Sequence, residues 1–194
     1  WDGEDEIPGK AADGAKALID ELHSALDPKA YRKAVALLAE SEFIDIFGVE
    51  NSLTPAMDLF TKLGYLGLTC RLNTDAYLQQ IGAGHLPHGA VAVAFSHSGS
   101  SADTVKALRL AKSHGAKTIA ITNAIGAPLA SWADVTLLTG RDSHTIYGNA
   151  IFSRVADTAL VDMLYMGVIL SGYGRFSTAL DESGRMIRDR VFEN

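Results

Sequence analysis

The chain has 194 residues, 47% of them hydrophobic, with a mean hydropathy of +0.10. That is enough for one self-supporting core, and no apolar run approaches the roughly 18 residues of a membrane helix. Seventeen Lys and Arg stand against 23 Asp and Glu, a net charge of -6, and the basic residues do not cluster, which disfavours direct contact with a polyanion such as DNA.

Cys70 is the only cysteine, so no intrachain disulfide or cysteine metal cluster can form, and the six histidines show no ligand spacing; no metal or cofactor is expected. The opening WDGEDEIPGK is acidic and has no basic region leading into an apolar stretch. A soluble protein of the reducing cytoplasm is expected, its start at Trp1 being either a cut inside a longer natural chain or a processed end.

Residues 12–27 place Leu18, Ile19, Leu22 and Leu26 at helical spacing, and Asp27 before Pro28 predicts the N-cap and first turn of a second helix. FIDIFGV (43–49) is β-branched and aromatic and reads as a strand; residues 55–65 follow as a helix with Leu59, Phe60 and Leu63 on one face. Residues 68–72 read as a second strand and 75–81 as a helix. AVAVAF (90–95) is a third strand, apolar on both faces and therefore buried on both. Residues 102–113 form a helix with Val105, Leu108, Leu110 and Ala111 on its apolar side and Gly115 at its end. TIAIT (118–122) and DVTLLT (134–139) are two further strands, with a short helix around 129–132 between them.

Residues 147–171 read as one long apolar helix, either buried or dimer-forming, and 172–194 as a terminal helix or tail. Regular alternation of strand and helix predicts an α/β three-layer sandwich, a parallel sheet flanked by helices on both faces. A single domain is expected: lead-in helices over 1–41, a core over 42–171 and a tail over 172–194.

In such sheets ligands bind beyond the carboxyl ends of the strands, where helix N-termini offer free N–H groups. After the third strand, Ser96, Ser98 and Ser101 surround Gly99, and hydroxyls with amides can hold a phosphate without a cation; Thr104, one turn on, adds a hydroxyl. The plain alternative is that Ser100 or Ser101 merely caps the helix. After the first strand, Asn51 and Ser52 can complete a pocket, or Ser52 or Thr54 can cap the helix near Pro55. No GxGxxG follows the first strand and no GxxxxGK[ST] occurs, so neither a dinucleotide nor an NTP phosphate loop is indicated.

The run AVAVAFSHSGSSADTVKALRLAKSHGAKTIAITNAIGAPLASWADVTLLT (90–139) closely resembles the sugar isomerase, or SIS, domain. With GYLG and NTDAYLQQ within 64–80 and SRVADTALVDMLY (153–165), the chain is most similar to the effector domain of RpiR-type transcriptional regulators over roughly residues 12–171. The resemblance implies a five-stranded parallel sheet of flavodoxin-like or Rossmann-like kind. It also implies a phosphate held by Ser96, Ser98, Gly99 and Ser101, with His97 between them, and by Ser52. The family pattern after the first strand is G-x-G-x-S, and Glu50 stands here where a small residue is expected. A homodimer or higher assembly is implied, with DNA contacted only through a helix-turn-helix domain not present in these residues.

The phosphate loop is common to sugar-phosphate isomerases and sensors, so it does not choose between them. Isomerisation needs a base; Glu50 is the better candidate, ahead of Asp75, His97 and His144. The leading expectation is an effector domain that binds a phosphorylated sugar or sugar acid, with a stand-alone aldose-ketose isomerase acting through Glu50 as the alternative.

Overall fold

A computed structural model describes residues 3–141 and 153–188. After a 3-10 turn at Glu4–Glu6 the chain enters α1 (Ile7–Ala25), which starts earlier than its apolar spacing suggested because Pro8 fits the first turn of a helix. α2 (Pro28–Glu40) begins as expected: the Asp27 carboxylate accepts from the N–H groups of Lys29 at 3.0 Å and Ala30 at 3.3 Å.

Then come β1 (Ile44–Phe47), α3 (Leu53–Tyr65), β2 (Cys70–Leu72), α4 (Ala76–Ala83), β3 (Val91–Phe95), α5 (Ala102–Ser113), β4 (Lys117–Thr122), β5 (Val135–Leu138), α6 (Val155–Ser171) and α7 (Tyr173–Met186). The short helix expected between β4 and β5 is a 3-10 turn at Ala130–Trp132.

All five strands are parallel, in the order β2-β1-β3-β4-β5, with Ile44 opposite Cys70 on one side and Val91 on the other. The pleat of β3 sorts its residues between two cores. Val91, Val93 and Phe95 join Leu22, Leu38, Leu59, Leu63, Leu160, Leu164 and Phe176 on the face covered by α1, α2, α3, α6 and α7. Ala92 and Ala94 join Ala107, Leu108, Ala111 and Ala120 on the other, where small side chains let α5 lie close to the sheet. The three-layer sandwich expected from the sequence is the fold observed.

Several boundaries differ. α5 buries Thr104, Ala107, Leu108 and Ala111, while Val105 and Leu110 lie at the edges of that face. β2 is shorter than 68–72 because the Leu68 N–H turns back to the Leu63 carbonyl at 3.2 Å, around Gly67 in a left-handed conformation. α6 begins at Val155, and residues 147–152 of the expected helix lie outside the described residues. Beyond a break at Gly172 the expected tail continues as a helix through Met186, docked by the buried Phe176. Among the described residues no single helix is long and apolar enough to cross a membrane.

Candidate functional site

Strand order reverses between β1 and β3, which are direct neighbours. β1 feeds α3 on one face and β3 feeds α5 on the other, so their two loops part and leave a crevice at the carboxyl end of the sheet. Both serine-bearing loops singled out from the sequence flank that crevice.

The loop after β3 is fixed at its base and open at its rim. Ser96 is buried and its N–H donates to Ile121 O at 3.1 Å, prolonging the sheet by one residue. Gly99 has φ +61, and a Cβ there would lie 2.3 Å from the Ala127 Cβ and 2.8 Å from Thr122 Oγ1. Only glycine fits both the conformation and the space. Its N–H donates to Ser96 O at 2.9 Å and its carbonyl accepts from Leu129 N–H at 2.9 Å. Ser98 and Ser100 are exposed. Ser101 is the N-cap of α5 but makes no side-chain cap bond, so its hydroxyl is not spent on the helix end. The first-turn N–H groups of α5 have no carbonyl one turn earlier to bond, and they carry the positive end of the helix dipole.

Two residues occupy different positions from those expected. Thr104 is fully buried, one helical turn from Ser101, and its hydroxyl donates to Ser101 Oγ at 3.3 Å; it orients that hydroxyl from behind. His97 is half-buried, and its carbonyl accepts from Thr122 Oγ1 at 3.1 Å and Asn123 N–H at 3.0 Å. Its Nε2 lies 3.4 Å from Asn123 Nδ2, so the ring turns toward the β4 loop.

The loop after β1 is clamped by a residue the sequence reading missed. The buried Gln79 side chain donates to Gly48 O at 2.7 Å and to Asn73 O at 2.8 Å, and its Oε1 accepts from Gly48 N–H at 3.3 Å. Past the clamp, Glu50 has φ +52, the only positive φ among the described non-glycine residues. This explains why a small residue suits the position: the turn is left-handed, and a side chain there costs about 1 kcal/mol. Glu50 and Asn51 are exposed, and Ser52 is buried as the N-cap of α3 with no side-chain cap bond. α3 therefore starts at Leu53, ahead of Pro55.

Asp75 caps α4, accepting from Leu78 N–H at 2.9 Å. Asp103 accepts from Gln80 Nε2 at 3.1 Å, tying the start of α5 to α4. His144 lies outside the described residues. Burial pushes the Asp157 carboxyl up, against the opposing pull of the Thr139 hydroxyl and Arg154. Among the described residues no cluster of His, Cys, Asp and Glu can hold a metal ion.

Sequence reasoning also passed over Thr122 and Asn123. Applied to β4 as it was to β1 and β3, the carboxyl-end rule would have found them.

Against known proteins, the family model described as SIS domain matches residues 37–167. An uncharacterised HTH-type transcriptional regulator of Caldanaerobacter subterraneus subsp. tengcongensis is 30% identical over 185 residues, 95% of this chain and 66% of that protein. The HTH-type transcriptional regulator HexR of Escherichia coli is 28% identical over 192 residues, 99% of this chain and 66% of its own length. The chain thus spans just under two-thirds of each of these two relatives. Among solved structures, the NanR protein of Vibrio vulnificus complexed with ManNAc-6P superposes with a TM-score of 0.89 at 24% identity, covering 96% of this chain and 70% of NanR.

Proposed function

The chain belongs to the SIS domain family, and we propose that it is the effector-binding domain of an RpiR-type transcriptional regulator that binds a phosphorylated sugar. One observation carries the reading: the 96–101 loop presents serine hydroxyls and the N-terminus of α5 to a crevice that the β1 loop borders from the other side. Ser98, Ser101 and the first-turn amides of α5 hold the phosphate, Gly99 brings the backbone close, and Ser96 and Thr104 support the loop from below. Ser52 and Asn51 close the opposite wall. Hydroxyl and amide donors suit a phosphate dianion, since bonds to a charged acceptor are the strong ones.

The relatives' names support the regulatory half of the proposal. The DNA-binding function belongs to a helix-turn-helix domain outside these residues, and the protein works in the cytoplasm as a homodimer or higher assembly. Met166, Leu170 and Tyr173 supply an exposed apolar surface on α6 and α7, beside a groove lined by Leu26, Tyr31 and Met163, that suits self-association. The ligand then acts by linkage, favouring the assembly geometry to which it binds more tightly.

The test is a thermal-shift screen of the purified chain against phosphorylated sugars, with each hit assayed for conversion to an isomer. Binding without turnover is the expected result. Turnover that disappears in Glu50→Gln would make the protein an isomerase, with Glu50, at the strained lip of the crevice, as its base.

A further inference from the structure

Adjacent glutamines on α4 reach the two walls of the crevice. Gln79 holds Gly48 by its N–H and its carbonyl together, at 3.3 and 2.7 Å, and also donates to Asn73 O at 2.8 Å. Gln80 Nε2 donates to Asp103 Oδ1, in the first turn of α5, at 3.1 Å. Gly48 and Asn73 each lie one residue past the end of a strand, β1 and β2. The ladder between the two strands has stopped there, so the Gln79 amide stands in for a further rung. Its orientation is fixed by its partners: turned over, it would set its oxygen against two carbonyls and its N–H groups against the Gly48 N–H.

α4 is itself held to the frame, which gives the clamp a rigid base. Ala83 is buried in the core shared with Ala107 and Ala111 of α5. Gly82 passes so close to Arg71 that a Cβ there would lie 2.7 Å from Nη2, and the same nitrogen donates to the Asp45 carboxylate of β1 at 2.6 Å. Gln79 is 1% exposed and touches no ligand. What it controls is the exposed turn that begins two residues further on. Glu50 keeps a φ of +52 there, a conformation that persists in a non-glycine residue only where its surroundings over-determine it. The clamp at the base of the turn does so.

The two walls differ in chemistry. The serine loop offers hydroxyl and amide donors, which suit a phosphate, whereas the turn after β1 brings the exposed Glu50 carboxylate, which repels a phosphate and suits hydroxyl groups. We propose that Gln79 is a positioning residue for the sugar part of the ligand: by fixing Gly48 it sets where Glu50 and Asn51 stand opposite the serine loop. The proposal rests on the phosphate reading above and adds a division of the ligand between the walls, phosphate to the 96–101 loop and sugar hydroxyls to the turn at 50–51.

Calorimetry with inorganic phosphate and glucose 6-phosphate tests this on the wild type, Gln79→Met and Gln79→Glu. Methionine keeps the length of the side chain without its hydrogen bonds, and glutamate keeps the shape but turns the donor into an acceptor facing two carbonyls. Both variants should lose about tenfold or more in affinity for glucose 6-phosphate and stay within about twofold of wild type for inorganic phosphate. A merely structural role would weaken both ligands alike or neither. Hydrogen exchange on the wild type needs no variant to fold: glucose 6-phosphate should slow exchange over residues 48–52, and inorganic phosphate should slow it only over 96–104.

Folded Gln79 variants that bind glucose 6-phosphate as the wild type does, or that lose both ligands in equal measure, overturn the inference. So does exchange over 48–52 that glucose 6-phosphate leaves unchanged; in each case the phosphate reading survives. Failure of the wild type to bind either probe would overturn both.

Discussion

Where β4 and β5 begin, the Thr118 hydroxyl donates to Trp132 O at 2.8 Å and accepts from Asp134 N–H at 3.0 Å, and the Asp134 carboxylate accepts from Thr118 N–H at 2.9 Å and pairs with Lys112. At the opposite, carboxyl end of the sheet, Asn123 Oδ1 and Glu21 Oε2 have no donor among the described residues, the Ser101 hydroxyl after β3 caps nothing and Glu50 after β1 holds a left-handed φ. The first arrangement closes on itself and contributes stability. The second has no such closure and costs stability.

The contrast breaks most readily at Gly99. Gly99→Ala puts a methyl group 2.3 Å from Ala127 and demands φ +61 of an L-residue. It should cost about 3 kcal/mol in chemical denaturation and abolish ligand binding. A closed network gives the opposite signature. Arg71 donates to both oxygens of the buried Asp45 carboxylate, at 3.0 and 2.6 Å, so Asp45→Ala should cost about 2–3 kcal/mol of stability while phosphate affinity stays unchanged.

A smaller effect is expected at Asp134. Burial pushes its carboxyl up, but Lys112 and the Thr118 donors pull harder, leaving it below the usual aspartate range. Its contribution is therefore present above the unfolded-state value and is lost as pH falls through the folded one. Asp134→Asn should lower stability by about 1 kcal/mol at neutral pH, with the gap to wild type closing below about pH 4. The smallest effect is at Cys70, whose thiol burial pushes up to about 12. At pH 8 it should label with alkylating reagents far more slowly than a free thiol, and the label should not follow ligand binding.

The difference between the two ends also marks what was legible in the sequence. Five strands, their alternation with helices and the Asp27 cap follow from local periodicity and capping chemistry, which a short window contains. The 96–101 turn from β3 into α5 was legible because glycine and hydroxyl residues after an apolar strand mark a strand-to-helix turn. Thr104 was misread because its hydroxyl counts as a ligand in a string of residues, whereas the helix turns it inward beneath Ser101.

The Gln79 clamp on Gly48 was invisible for another reason. Gln79 reads as one more polar residue on a helix until the fold brings α4 across the end of β1, a juxtaposition set by long-range packing.

The most direct test of the central claim is titration of inorganic phosphate and glucose 6-phosphate into the wild type and the Ser98→Ala/Ser101→Ala double variant by calorimetry. Each hydrogen bond to the dianion is worth about 1.5 kcal/mol or more, so the double variant should lose about a hundredfold or more in affinity while its Tm stays close to that of wild type. Undiminished affinity in a folded double variant would contradict the assignment of this loop as the phosphate cradle.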